Sequence, residues 1–420
     1  MKTLEKLFIV GRNRLEGTVG VSGAKNAALS ILAASLLAEG EITIENVPML
    51  SDVYTQIEIL RLLDAKLKIN DSGVLNIDPT NSIYNEVPYE LTKKSRGSIL
   101  FMAPMLAKFH KVKIGLPGGD ALGPRPINLH LKGFKVMGAN VVMKENSVEI
   151  TAEKLKGARV FLDRPSTTAT ENIMIAATLA EGLTVIENAE KVPEIVDLAK
   201  FLKSMGAKIK GEETGVIMIK GVKNLIPTCH KLIPDPFEAN TYMVASAITE
   251  GDVFVDNAIP DHVIPTVAKL REVGAKVEME KNVGIRVVGK TINPVSIYVS
   301  APYPAFQSDM QPIFTALTTL AKGTSSITDS VFPQRFGYIT ELKKMGADIR
   351  LRRNTCFIRG VKRIIGASVT SEDIRGGAAL ILAGLAAEGE TIVDHIFHID
   401  RGYQNIEEKL GQLGARIYRT

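Results

Sequence analysis

The chain has 420 residues, 45% of them hydrophobic and 23% charged, with a formal net charge of +5. That length supports two or three cores, and a mild basic bias without a long Lys/Arg run and interleaved aromatics argues against a nucleic-acid partner. No apolar run reaches the ~18 residues of a membrane span, and the opening MKTLEKLFIVGRNRLEG is too short in apolar residues for a secretion signal, so a cytoplasmic protein is expected.

The first predicted helix, NAALSILAASLLA (Asn26 to Ala38), is apolar nearly all round and therefore wants burial on every side. It runs into a strand through LLAEGEITIENV (Leu36 to Val47). The same turn returns as TLAEGLTVIENA (Thr178 to Ala189), AITEGDVFVDNA (Ala247 to Ala258), TLAKGTSSITDS (Thr319 to Ser330) and LAAEGETIVDHI (Leu385 to Ile396), with MLAKFHKVKIGL (Met105 to Leu116) as a degenerate copy. Each turn leads to a second, half-exposed helix that stops at Gly138, Gly206, Gly274, Gly346 or Gly414 before alanine, with Leu63-Asp64-Ala65 as an imperfect first stop. A left-handed C-terminal cap suits these glycines. Stops about 70 residues apart are too widely spaced for a solenoid and describe compact α/β units.

Six such units, of the form βαβαββ, predict an α/β fold with helices inside and sheets outside, gathered as two inside-out lobes of three repeats each. HKLIPDPFE (His230 to Glu238) holds two prolines and marks the crossing between lobes. A second crossing near Ser22 to Lys25 returns the N-terminal strand to the C-terminal lobe. The expected domains are residues 24–233, and residues 1–23 with 234–420. The cleft between such lobes is the default ligand site.

The repeat supplies an internal control, because a residue that differs from its siblings was chosen by something other than folding. Lys25, Arg96, Thr168, Asp309 and Arg375 fall at nearly the same place, where the buried helix begins. Arg125, Arg335 and Arg401 fall near the start of the second helix. Cations at helix N-termini oppose the helix dipole, and a bound phosphate or carboxylate removes the conflict. Pairing with surface Asp and Glu is the competing explanation. The sharpest departure is LPGGDALGPRP (Leu116 to Pro126), where Gly118, Gly119 and Gly123 surround Asp120 and suggest a mobile lid carrying a reactive group. Cys229 and Cys356 form neither a disulfide framework nor a metal spacing.

SGAKNAALSILAASLLAEG, LPGGDALGPRPINLHLKG, APYPAFQSDMQPIFTAL and HIDRGYQNIEEKLGQLGA together resemble the UDP-N-acetylglucosamine 1-carboxyvinyltransferases, a family of enolpyruvyl transferases, over essentially the whole chain. The resemblance implies transfer of the enolpyruvyl group of phosphoenolpyruvate to the 3-hydroxyl of UDP-N-acetylglucosamine, the opening of peptidoglycan synthesis, without metal or organic cofactor. It implies that Lys25, Asn26, Arg96, Arg125 and Arg401 hold phosphoenolpyruvate, with Arg335 and Arg375 completing the cradle. Arg96, the segment Arg125, Pro126, Ile127, Asn128 and Leu129, and the segment Arg164, Pro165, Ser166 and Thr167 line the nucleotide-sugar site. Val331 packs on that ligand, Asp309 takes the proton of the sugar hydroxyl, and Asp120 is the acid. Lys25 and Arg401 join the two aspartates as catalytic groups. His130 and His398 sit nearby, and each is equally readable as a structural histidine.

The family's lid commonly carries cysteine where this chain has Asp120, and the family's epoxide antibiotic, fosfomycin, alkylates that thiol. An aspartic acid can donate a proton if a closed lid raises its pKa above ~3.9. The expectation is an active, fosfomycin-insensitive enzyme whose lobes close on anions. The alternatives are transfer to shikimate 3-phosphate by the sister enzyme, or a non-catalytic paralogue that binds nucleotide sugar.

Overall fold

A computed structural model describes residues 5–70, 73–118, 126–280, 283–299, 301 and 303–420. One repeat shows the construction. Strand Arg159–Phe161 leads to helix Thr167–Ala177, then strand Leu183–Glu187, helix Pro193–Ser204, and strands Lys208–Lys210 and Val216–Lys220. Arg159 pairs in parallel with Val185, and Val185 pairs antiparallel with Met218. The last strand alternates strictly. Ile217 and Ile219 are buried, while Val216, Met218 and Lys220 face solvent. A one-faced sheet of this kind covers the buried helix beneath it. That helix is lined all round by buried side chains, Ala176 and Ala177 among them, and its small residues allow close approach of its neighbours. Burying each Leu or Ile of such a core contributes about 1.5–3 kcal/mol.

Six four-stranded sheets repeat this order. Three belong to a unit of residues 23–118 and 126–233, and three to a unit of residues 5–22 and 234–420. Each unit has its own apolar core. In the first unit the central helices are Lys25–Ala34, Met102–Phe109 and Thr167–Ala177. In the second they are Pro236–Ile248, Gln311–Thr318 and Ile374–Ala386. The first repeat borrows its leading strand from the far end of its unit, since Cys229–Lys231 pairs in parallel with Ile42–Glu45. The last repeat is closed by the N-terminal strand Leu7–Val10, which pairs with both Glu390–Asp394 and Arg416–Arg419.

The helix stops are as expected. Gly138, Gly206, Gly274, Gly346 and Gly414 all have φ between 89° and 104°. Asp64, the imperfect copy, takes the same turn at φ 66° without being glycine. The strand that follows each buried helix usually ends in a second left-handed residue, Asn46, Asn188, Asn257 or His395. Asn tolerates this region because its short side chain bonds locally.

Candidate active site

In the N-terminal unit the charge is organised around Lys25, first residue of its helix. Its ammonium lies 3.4 Å from Asp52 Oδ2, and both side chains are buried. Asp52 stands in the first turn of helix Ser51–Leu62, where the helix dipole favours an anion. Sequence reasoning missed it, although an acidic residue in a first turn was the available signal. Asn26, next in the same turn, is half-buried. Arg96 opens the 3-10 turn Arg96–Phe101 and is also half-buried, with Ser95 Oγ accepting the Gly97 N–H at 3.3 Å.

Of the segment expected to line the nucleotide-sugar site, Pro126 and Asn128 are exposed, whereas Ile127 and Leu129 are core residues. Any contribution of those two falls to their main chain. Arg164 is exposed, and Pro165, Ser166 and Thr167 are half-buried at the start of helix Thr167–Ala177. Thr168 is half-buried in that first turn and bonds His130. Asp120, Arg125, Gly119 and Gly123 lie outside the described residues. Gly118 does not need an unusual backbone conformation. An added Cβ would stand 1.9 Å from the Lys93 carbonyl oxygen, so close backbone approach, rather than left-handed freedom, selects glycine there.

His130 is structural. Asn172 Oδ1 accepts the Ala103 N–H at 3.2 Å, which fixes the amide so that its Nδ2 donates to His130 Nδ1 at 2.9 Å. The ring must then donate from Nε2 to Thr168 Oγ1, 3.2 Å away. Burial, with Arg96 nearby, pushes the imidazole down to about 3. His398 lies in the 3-10 turn Ile396–Arg401, and its ring stands 4.3 Å from that of Phe397.

In the C-terminal unit three charges meet. Asp309 Oδ2 lies 3.2 Å from Arg335 Nη1, and Asp309 Oδ1 accepts from Arg375 Nε at 3.2 Å. Both arginines are buried, but 32% of the Asp309 side-chain surface stays open. Partial burial favours the neutral acid, yet the two guanidiniums outweigh it and hold Asp309 well below the usual carboxylate range. Arg375 stacks over Phe237 at 4.6 Å and Tyr403 at 5.2 Å, and Arg335 over Phe332 at 4.9 Å. Arg335 Nε and Arg375 Nη1 are buried without a hydrogen-bond acceptor among the described residues.

The cations do not all stand at helix N-termini. Arg375 does stand at the start of its helix, capped by Asp373, whose Oδ1 accepts the N–H of Arg375 and Gly376. Arg335, however, precedes helix Tyr338–Lys344, and Arg401 ends a 3-10 turn five residues ahead of helix Ile406–Gln412. Carboxylate partners do exist for Lys25, Arg335 and Arg375, but they lie inside the protein rather than on its surface. Val331 is exposed, and its N–H donates to Asp329 Oδ1 at 2.9 Å. Cys356 is buried, its thiol pushed up to about 11 by burial, and Cys229 is an exposed thiol that partial burial and Glu45 also raise. Among the described residues no cluster could hold a metal, and no helix is long and apolar enough to cross a membrane.

A sequence-family model described as EPSP synthase (3-phosphoshikimate 1-carboxyvinyltransferase) matches residues 9–410. The chain belongs to this enolpyruvyl transferase family. It is 50% identical to UDP-N-acetylglucosamine 1-carboxyvinyltransferase 2 of Carboxydothermus hydrogenoformans over 99% of this chain and 100% of the relative. It is 51% identical to UDP-N-acetylglucosamine 1-carboxyvinyltransferase 1 of Caldanaerobacter subterraneus subsp. tengcongensis, over 98% and 99%. Among solved structures it is similar to the enolpyruvyl transferase NikO of Streptomyces tendae, with TM-score 0.89, 23% identity and 99% of each chain covered. EPSP synthase of Acinetobacter baumannii follows at TM-score 0.77 and 19% identity, over 100% of both chains. At those identities the two structures establish the shared fold, while the full-length relatives place the chain on the UDP-N-acetylglucosamine branch.

Proposed function

We propose that this chain is an enolpyruvyl transferase that joins phosphoenolpyruvate to the 3-hydroxyl of UDP-N-acetylglucosamine and releases phosphate, the first committed step of peptidoglycan synthesis. The observation that carries the reading is Asp309, a partly open carboxylate kept ionised between two buried guanidiniums that each retain a spare donor. Protonation of the methylene carbon of phosphoenolpyruvate places positive charge on the adjacent carbon. The sugar oxygen attacks that carbon while its proton passes to Asp309. Phosphate then leaves with the electron pair of its C–O bond, and the new methyl group loses a proton to restore the double bond.

So strongly stabilised a carboxylate is a poor base at rest. An anion that takes hydrogen bonds from Arg335 and Arg375 weakens their hold, and Asp309 becomes more basic as substrate arrives. Lys25, Asn26, Arg96, Arg125, Arg335, Arg375 and Arg401 are assigned to phosphoenolpyruvate. Arg96, residues 125–129 and 164–167, Asp309 and Val331 are assigned to the nucleotide sugar. Asp120 donates the proton to carbon and, having no thiol, leaves the enzyme insensitive to fosfomycin.

A phosphate-release assay with UDP-N-acetylglucosamine or shikimate 3-phosphate as acceptor tests the reaction, and turnover with only the latter would overturn the acceptor assignment. Stoichiometric fosfomycin labelling with loss of turnover, seen by mass spectrometry, would refute insensitivity. Asp120→Cys should keep activity and gain sensitivity, whereas Asp120→Asn should lose most turnover.

A further inference from the structure

The residue that closes the strand after each buried helix serves as a control on what folding alone requires. In four repeats it is Asn46, Asn188, Asn257 or His395, at φ between 56° and 62°. The role of the first two is plain: Asn46 Nδ2 donates to the Leu232 carbonyl at 3.1 Å, and Asn188 Nδ2 to the Leu162 carbonyl at 2.8 Å. Each clamps the turn to the neighbouring parallel strand. In the repeat that carries Asp309, the same position is Asp329. It is not left-handed, and its carboxylate is completely buried. Folding does not ask for that carboxyl group, since the siblings manage without it.

What Asp329 holds points to the site. Oδ1 accepts the N–H of Val331 at 2.9 Å and of Phe332 at 2.8 Å. Oδ2 accepts the hydroxyl proton of Ser308. Ser308 has only that one proton, so its lone pairs face elsewhere, and Oγ accepts from Arg335 Nη1 at 3.2 Å. The same Nη1 reaches Asp309 at 3.2 Å. Phe332, whose amide Asp329 fixes, supplies the ring 4.9 Å beneath the Arg335 guanidinium. One buried carboxylate therefore sets both the hydrogen bond and the ring that aim Arg335.

We propose that Asp329, acting through Ser308, is a positioning residue for the transfer reaction. It orients Arg335 so that this arginine can hold Asp309 at rest and offer a donor to the incoming anion. The proposal rests on the reaction assigned above. It also predicts a direction: a loosened Arg335 lets the Asp309 pKa rise, so the acid limb of the rate profile moves to higher pH.

The test compares the full-length wild type with Ser308→Ala, Ser308→Thr and Asp329→Asn. Turnover is measured across pH, phosphoenolpyruvate affinity by calorimetry, and thermal midpoint alongside. Ser308→Ala should lower kcat about tenfold, weaken phosphoenolpyruvate about fivefold, and shift the acid limb upward, with the KM for UDP-N-acetylglucosamine changed less than about threefold. Ser308→Thr, which keeps the hydroxyl, should recover most of each loss. Asp329→Asn should fall between, since its amide can replace Oδ1 but turns an N–H toward Ser308. Ser308→Ala with kcat and affinity within about twofold of wild type overturns the relay. So does a loss that Ser308→Thr fails to rescue and that follows the thermal midpoint alone. If the wild type transfers nothing to UDP-N-acetylglucosamine, the assigned reaction falls, and the calorimetric order of the variants still decides the relay.

Discussion

The two units bury ionisable side chains by different means. The N-terminal unit holds several of its buried titratable groups neutral or paired. His130 is an uncharged imidazole bracketed by Asn172 and Thr168, Glu171 is a carboxyl pushed well up by burial beside Glu194, and Lys25 is paired with Asp52. The C-terminal unit buries charges in a network. Arg335 and Arg375 share the carboxylate of Asp309, while buried Asp329 acts on Arg335 through Ser308 and buried Asp235 acts on Arg375. Burying charge is costly unless it is paired and hydrogen-bonded, so each guanidinium depends on carboxylates from several elements. The neutral groups of the first unit need only hydrogen-bond partners.

That contrast breaks most visibly at Asp309. Asp309→Ala should leave two buried guanidiniums facing each other, costing ~3 kcal/mol in unfolding free energy and at least about a hundredfold in turnover. Denaturant titration and steady-state assay read both. A stable, active Ala variant would erase the distinction between the units.

Asp52→Asn tests the matched pair. The ammonium of Lys25 keeps a polar neighbour but loses its anionic anchor, and phosphoenolpyruvate affinity should drop about fivefold with ~1 kcal/mol of stability. An affinity that rises instead would show that Asp52 competes with the substrate anion.

His130→Gln sharpens the neutral side. Below the unfolded histidine's ordinary value near 6.5, the unfolded chain takes a proton that the folded one refuses down to about 3. Stability is therefore fully present above pH 6.5 and falls as pH drops, by about 1.4 kcal/mol per unit for this group. The Gln variant should show a shallower acid slope in unfolding measured between pH 4 and 6.5.

The opposite slope belongs to Glu171, whose folded carboxyl stays protonated above its ordinary value. It loses stability as pH rises above ~4.5, because only the unfolded form ionises there. Glu171→Gln should therefore gain stability over the wild type as pH rises from 4 to 8, and nothing at pH 4, in unfolding followed across that range.

Much of this was legible along the chain. A turn repeated six times exposed the units, because a buried helix with a one-faced sheet must restate its apolar pattern in every copy. Asp309, Arg335 and Arg375 stood out by departing from their siblings. Asp52 was passed over because an acid in a first helical turn is ordinary until the side chain it faces is known. Asp329 was missed for a related reason: Ser308 and Arg335 approach it from other elements. His130 could not be assigned from its neighbours in sequence, since Asn172, 42 residues away, decides its tautomer.

The sequence alone determined the repeat, the wholly buried helices and the left-handed helix stops, all of which follow from local periodicity and backbone sterics. Only the tertiary structure decided which charges are answered from within. The field that keeps Asp309 ionised, the neutral state of His130 and the Ser308–Asp329 link each depend on groups distant along the chain. Electrostatics and hydrogen bonding act across a few ångströms of folded space, and that distance is set by packing rather than by order in the sequence.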